Sequence, residues 1–310
     1  MVIYINTHAN NGTARKKWAS VEQRVLDRLR QGDAEPDVRE LPTDLAVSVM
    51  SEVENGKRVF IAAGGDGTVH MLVNALMAAK KETGHDLVLG AVGLGSSNDY
   101  HKPVLPGQMI DGVPVRINVE KTSSHNLGQA DCLLTDEKPE KRYFIVNSSL
   151  GILAEGNHLF NKGDAVINRL KKRWVNGTIN YSAIKTMMVY KNFGVTFSMN
   201  NDSFQTQVSN MSIIINPNFT GSYCYDTPIT PQSDYLCVNL CENMSRPEQL
   251  YTFYQFGKGR FLGLRKTRAW NTPEVKIVPE KQVPFEMDGE VTMVKQVDIT
   301  LVKGGLTVCH

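Results

Sequence analysis

The sequence predicts an N-terminal α/β domain built on a parallel sheet, followed by a C-terminal antiparallel β-sandwich domain. Three observations carry that expectation. Strand and helix signals alternate from Val2 to Gly93, as they do where right-handed crossovers link parallel strands. Past about Pro114 the texture changes to short apolar–polar alternations separated by turn residues. Two glycine-rich loops, after Ala63 and after Val92, fall at the carboxyl ends of expected strands, where parallel sheets bind ligands.

The elements follow in order. Val2–Ile5 is a β-branched and aromatic run. Thr13–Leu29 places Val21, Val25, Leu26 and Leu29 on one helical face. Asp37–Leu41 reads as a short strand, and Pro42-Thr43-Asp44 as a turn and cap before a helix reaching about Glu54. Arg58–Ala63 and Leu87–Val92 are buried-type strands on either side of a helix over Val69–Lys81. The second domain is expected to hold strands at Val115–Val119, Tyr143–Asn147, Gly194–Met199, Phe204–Val208, Met211–Ile215, Tyr235–Leu240, Glu274–Val278 and Val297–Val302. Helices are expected from about Ala165 to Tyr190, broken near Asn176-Gly177, and from Pro247 to Phe256. The domains are drawn at 1–115, joined by the tail 297–310, and at 116–296. No Pro-, Gly- or Ser-rich linker marks the border.

Composition narrows the function. The 310 residues allow about two domains of roughly 150 residues each. With 41% apolar and 21% charged residues the chain is an ordinary globular one, which excludes bulk disorder. Lys and Arg number 34 against 32 Asp and Glu, so no global charge favours nucleic acid. No apolar run reaches the roughly 18–20 residues needed to span a bilayer, and no signal peptide is read at the N-terminus. A cytoplasmic protein, peripheral to the membrane at most, is expected. Five dispersed cysteines without a Cys-x-x-Cys pair read as free thiols.

The sharpest motif is Gly64-Gly65-Asp66-Gly67-Thr68, after a strand and before a helix. Its glycines let backbone approach an anion, and the amides of the following helix start would face it. Asp66 would repel a bare phosphate, so it points to a bound Mg²⁺ or a positioned nucleophile. The bland reading is a tight turn with an Asp cap; the strand–loop–helix context favours the cradle. Gly93-Leu94-Gly95-Ser96-Ser97-Asn98-Asp99 reads as a second wall of a nucleotide cleft, or as a polar turn. Asp288-Gly289-Glu290 alone would be a hairpin turn.

Taken together, Gly-Gly-Asp-Gly-Thr, a Gly-x-x-Asn-Asp loop and a late Asp-Gly-Glu resemble the bacterial diacylglycerol-kinase-like lipid kinases, whose superfamily includes sphingosine, ceramide and, more distantly, NAD kinases. Phe144-Ile145-Val146-Asn147 with Gly151 is similar to the family's strand motif opening the second domain. Ile215-Asn216-Pro217, Pro228 and Ser233-Asp234-Tyr235-Leu236 resemble the stretch that holds a structural Mg²⁺. The resemblance implies a nucleotide-binding N-terminal domain and a β-rich lipid-substrate domain closing over it. It implies ATP on Gly64, Gly65, Asp66, Gly67, Thr68, Val69 and His70, with Ser96 and Asn98 on the second loop and Thr43 as a looser match. Asp288 stands where members place the general base, assisted by Glu290 and Asp66. Asp234, with the carbonyls of Pro231 and Leu236, would ligate Mg²⁺. The implied partners are ATP and a lipid at a membrane surface, without nucleic acid; a homodimer is compatible. The reading is an ATP- and Mg²⁺-dependent lipid kinase acting on diacylglycerol or a related lipid. The alternatives are an NAD kinase, or a non-catalytic nucleotide- or lipid-binding member.

The chain departs from the family pattern at the Asn6–Gly12 turn, at Met71 and Asn126, where carboxylates are usual, and in the Ser96-Ser97 loop. Four weaker features complete the reading. Lys171-Lys172-Arg173-Trp174 is either a docking patch for anionic lipid or a solvated helix face. Met187, Met188, Val189 and Tyr190 line either an acyl pocket or the core. His8, His70 and His101 read as polar lining rather than a metal triad. The stretch Lys258, Arg260, Arg265, Lys266 and Arg268, around Phe261 and Leu262, faces lipid head groups or water.

Overall fold

The computed structural model describes residues 1–30, 35–162 and 175–310. The basic run at 171–174 lies outside them. The chain forms two compact units, Met1–Asn126 with Lys303–His310, and Leu127–Val302. The borders drawn from sequence, at 115/116 and 296/297, fall nearer the chain's start at both crossings. Extended segments cross both borders, so no change of composition marks them.

The first unit holds β1 (Val2–Ile5), α1 (Thr13–Arg30), β2 (Asp37–Glu40), α2 (Leu45–Glu54), β3 (Val59–Gly64), α3 (Asp66–Thr83), β4 (Val88–Gly93), β5 (Met109–Ile110) and β6 (Val113–Arg116). β1 pairs in parallel with β2 and β3, and β3 with β4. Near the chain's end, Thr307 and Val308 join β4 in parallel at Val88 and Leu89. Phe60, Ile61, Ala62 and Ala63 are wholly buried, which is why β3 reads as an unbroken apolar run. α1 buries Ala14, Trp18, Val21, Val25 and Leu29 at spacings of three and four. α2 is capped by Asp44, whose carboxylate accepts from the Val47 N–H at 3.1 Å. α3 stops at Gly84, which takes the left-handed φ of 70° that favours glycine.

The second unit contains β7 (Thr122–Leu134), β8 (Pro139–Phe144), β9 (Asn147–Gly151), α4 (Ile152–Lys162), α5 (Val175–Val189), β10 (Phe193–Met199), β11 (Asp202–Ile214), β12 (Asn218–Phe219), β13 (Tyr223–Cys224), β14 (Leu236–Glu242), α6 (Arg246–Phe256), β15 (Thr267–Thr272), β16 (Glu274–Pro279), β17 (Val283–Met287) and β18 (Glu290–Cys309). Within this unit β11 pairs antiparallel with β9, β10 and β14, and β17 with β9 and β18. Its core gathers Phe144, Phe197, Met211, Val238, Phe285 and Val297.

Several expectations are corrected here. The two strands expected at Phe204–Val208 and Met211–Ile215 are one, β11, which continues through a register shift between Val208 and Asn210. Of the helix expected from Ala165 to Tyr190, the start lies outside the described residues, α5 runs unbroken through Asn176-Gly177, and an unexpected α4 begins directly after β9. The strand expected over Tyr143–Asn147 is two, interrupted at Ile145-Val146. Of the Met187–Tyr190 run, Met187 and Tyr190 are buried while Met188 and Val189 are exposed, so the run does not line one pocket. All five cysteines are free, and burial pushes the Cys132 thiol up to about 12 and Cys237 to about 11.

Candidate active site

In the first unit the two glycine loops clasp each other. The Leu94 N–H donates to the Gly64 carbonyl at 2.7 Å, and the Gly95 N–H to the same oxygen at 3.2 Å. Gly65 and Gly95 meet backbone to backbone: a Cβ on Gly95 would stand 2.5 Å from the Gly65 Cα. A Cβ on Gly64 would stand 2.2 Å from the Thr68 hydroxyl oxygen. These glycines are therefore required for close packing of the loops themselves. Gly65 caps α3, and the Thr68 and Val69 N–H groups return to its carbonyl at 2.9 and 3.1 Å. The amides of Asp66 and Gly67, ahead of these, lie at the electropositive start of the helix.

The predicted side chains separate into two groups. Gly65, Asp66 and Gly67 are half-buried and Ser96 is exposed, so these lie at the surface of the clasp. Thr68, Val69 and His70 are buried. The Asn6 amide donates to the Thr68 hydroxyl at 3.1 Å, which occupies the group expected to meet phosphate. Asn98 spends its amide on its own loop: Oδ1 accepts from the Gly95 N–H at 3.0 Å and Nδ2 donates to the Gly93 carbonyl at 3.1 Å. Asn98 adopts a left-handed φ of 50° to do so. Thr43 is exposed, one residue before the Asp44 cap.

Asp66 accepts from the Tyr100 N–H at 3.0 Å, tying the helix start to the second loop. Lys17, on α1, donates to the Gly95 carbonyl at 2.9 Å, and its pKa is lowered by burial. Sequence reasoning missed Lys17, because one lysine on a polar helix face carries no signal of what it reaches. His101 is buried, and among the described residues neither ring nitrogen has a hydrogen-bond partner. Burial, then the nearby Arg116 charge, pushes its pKa down to about 3, so the ring is neutral at neutral pH. His8 is exposed, whereas His70 and His101 are buried, so the three do not line one polar surface.

In the second unit Asp288 and Gly289 form the two-residue turn between β17 and β18, with φ of 49° and 93°. Positive φ at both positions is what a type I′ turn demands. The Asp288 carboxylate is buried and accepts three backbone N–H groups: Ile145 at 2.9 Å, Val146 at 2.9 Å and Asn147 at 3.1 Å. That explains the interrupted strand, since Ile145 and Val146 give their amides to a side chain rather than to a neighbouring strand. Glu286 is also buried; it accepts from the Ser149 hydroxyl at 2.7 Å and from the Gly289 N–H at 2.5 Å. Neither partner was legible from the sequence, where Glu286 looks like any alternating strand residue. Glu290 is exposed.

The loop before β14 carries the expected metal ligands. Asp234 is exposed, Pro231 half-buried and Leu236 buried. One carboxylate and two carbonyls form an oxygen-only donor set, which suits Mg²⁺ with retained waters. Among the described residues no three His, Cys, Asp or Glu side chains gather into a metal site. The nearby Asp226 is instead a structural cap, accepting from the Phe261 and Leu262 N–H groups at 3.0 and 2.9 Å.

Comparison with known proteins agrees with the resemblance. The family model of the diacylglycerol kinase catalytic domain matches residues 1–130. A solved structure described as a diacylglycerol kinase from Bacillus anthracis strain Sterne is 14% identical, with a TM-score of 0.70 over 100% of this chain and 96% of that one. Another structure from that strain, whose protein carries the same name provisionally, is 15% identical, with a TM-score of 0.74 over 100% of this chain and 94% of that one. At such identity these structures show a shared fold. No curated protein matches the chain. Residues 1–130 are thus similar to the diacylglycerol kinase catalytic domain, and the whole chain shares the fold of these two solved structures.

Proposed function

We propose that the protein is an ATP- and Mg²⁺-dependent kinase that phosphorylates a hydroxyl of diacylglycerol or a related lipid. The observation that carries the reading is the clasp of the two glycine loops at the start of α3, inside the stretch that matches the diacylglycerol kinase catalytic domain. The first unit is assigned to the nucleotide and the second to the lipid. The Gly65–Gly95 contact leaves no room for a side chain, so backbone alone faces an incoming phosphate. ATP would supply the γ-phosphoryl group, and Mg²⁺ the charge neutralisation that its transfer requires.

The chain's own residues then have definite tasks. Gly65, Gly67 and Ser96 meet the phosphates. Asn98, Thr68 and Lys17 hold the loops in shape. Asp66 orients the helix start and stands ready for the metal. Asp234, with the carbonyls of Pro231 and Leu236, holds a Mg²⁺ ion. Asp288 accepts the proton of the lipid hydroxyl, with Glu290 beside it on the turn. The protein works at the membrane surface without crossing it; among the described residues no helix is long and apolar enough to span.

The three amide contacts of Asp288 favour one second reading, in which the Asp-Gly turn is only a structural pin and the protein binds nucleotide without turnover. Incubation with γ-labelled ATP, Mg²⁺ and mixed micelles of diacylglycerol, phosphatidylglycerol, ceramide or sphingosine separates the two. Label in one lipid is expected. ATP bound with no labelled lipid would support the pin, and NADP formed from NAD would move the activity to the nucleotide-kinase branch.

A further inference from the structure

Two helices of the second unit hold apolar side chains outward while burying polar ones. α6 buries Gln249, Thr252 and Gln255 along with Phe256, and exposes Leu250, Tyr251 and Tyr254, the tyrosines at 56% and 59%. A helix that faces water does the reverse. α5, which packs against α6, repeats the pattern: Ser182 and Thr186 are buried beside Met187, while Met188 is 64% and Val189 71% exposed. This arrangement is costly inside, because Ser182 Oγ, Thr186 Oγ1, Gln249 Oε1 and Gln255 Oε1 are buried without hydrogen-bond partners among the described residues. An apolar face held outward at that cost fits an apolar environment outside.

Charge names the environment. The segment leaving α6 exposes Lys258, Arg260 and Arg265, with Leu262 exposed among them. Lys258 Nζ lies 4.3 Å from the centre of the Tyr254 ring, so cation and aromatic share one patch. The acidic group beside them, Glu248, is engaged by Ser245 and by Lys266 at 2.8 Å and stands 3.7 Å from Arg265. We propose that this face of α5 and α6 is a docking surface for a bilayer of anionic phospholipid. Aromatic and aliphatic side chains enter the head-group boundary and the three cations meet lipid phosphates. A two-fold contact with a second copy is disfavoured, since it would set these cations against themselves. The inference deepens the lipid-kinase reading, which gives the protein its reason to visit a membrane.

The test is cosedimentation with vesicles of phosphatidylcholine alone and of phosphatidylcholine with phosphatidylglycerol. The intact protein is compared with Tyr251→Ser/Tyr254→Ser and Lys258→Glu/Arg260→Glu, all at exposed positions. Binding to the anionic vesicles is expected. The tyrosine pair should weaken it about ten-fold or more, and the charge pair about five-fold for each cation. Three results would each overturn the docking surface. These are no binding to anionic vesicles, binding unchanged in both variants, and a dimer by light scattering that the tyrosine changes abolish. None of these readings needs turnover. Phosphorylation of a short-chain, water-dispersed diacylglycerol should be unchanged in both variants. Its absence in the parent would count against the kinase reading and leave the docking result standing.

Discussion

Asp66 and Asp288 each stand beside glycine in a tight turn, yet the two regions use them in opposite ways. Asp66 is half-buried at the start of α3, and its carboxylate accepts from the Tyr100 N–H. Asp288 is buried and its oxygens are taken up by three main-chain N–H groups. In the first unit backbone meets backbone at the loop clasp, and side chains such as Asn98 and Lys17 keep it in shape. In the second unit a side chain is the scaffold, and the backbone folds round it. A motif residue can thus carry structure and chemistry together, so a lost activity must be separated from a lost fold.

The largest expected effect breaks the second region. Asp288→Ala would leave the buried Ile145 and Val146 N–H groups, and the half-buried Asn147 N–H, without this acceptor. At about 1–3 kcal/mol for each orphaned group, destabilisation of about 3 kcal/mol or more is expected. Urea unfolding of the variant checks this; a stability equal to the parent's would show that the carboxylate pins nothing. The next effect breaks the first region. Gly95→Ala forces a Cβ to within 2.5 Å of the Gly65 Cα, a backbone atom that cannot step aside alone. A loss of about 1–3 kcal/mol is expected together with weakened ATP binding, read by calorimetry. ATP binding unaltered by the methyl group would remove the clasp from the nucleotide site.

A smaller effect follows pH. Folded His101 titrates at about 3, and the unfolded residue at about 6.5. Between those values the unfolded chain binds a proton that the folded chain does not. Its contribution is therefore complete above pH 6.5 and is lost as pH falls toward 3, at about 1.4 kcal/mol per pH unit. His101→Phe should flatten the stability–pH curve of the parent by that slope over pH 4–6; curves that stay parallel would contradict the buried neutral ring. The smallest effect concerns Lys17. Lys17→Met removes its 2.9 Å hydrogen bond to the Gly95 carbonyl, worth about 0.5–1.5 kcal/mol. A modest drop in ATP affinity without a change of fold is expected by calorimetry and circular dichroism.

Much of the first unit was legible because its elements are local. The Val21–Val25–Leu29 stripe, the apolar run Phe60–Ala63 and the glycine loops each declare themselves within a few residues. The second unit hides more, since its defining contacts join distant residues. Nothing near Ile145 announces that its amide belongs to Asp288, 143 positions away. Gln249 and Tyr251 follow no amphipathic rule that water would impose, so their exposure could not be read from α6 alone. Glu286 and Lys17 were invisible for the same reason, as their partners are chosen by the fold and not by spacing.

The claim that Asp288 is both pin and base is tested most directly by Asp288→Asn. The rate of γ-phosphoryl transfer to the preferred lipid would be measured at a temperature where unfolding curves show the variant fully folded. The account predicts a fall of about 10²–10⁴-fold, the contribution of a general base. A rate within a few-fold of the parent's, in a folded variant, would contradict it and leave Asp288 as a pin alone.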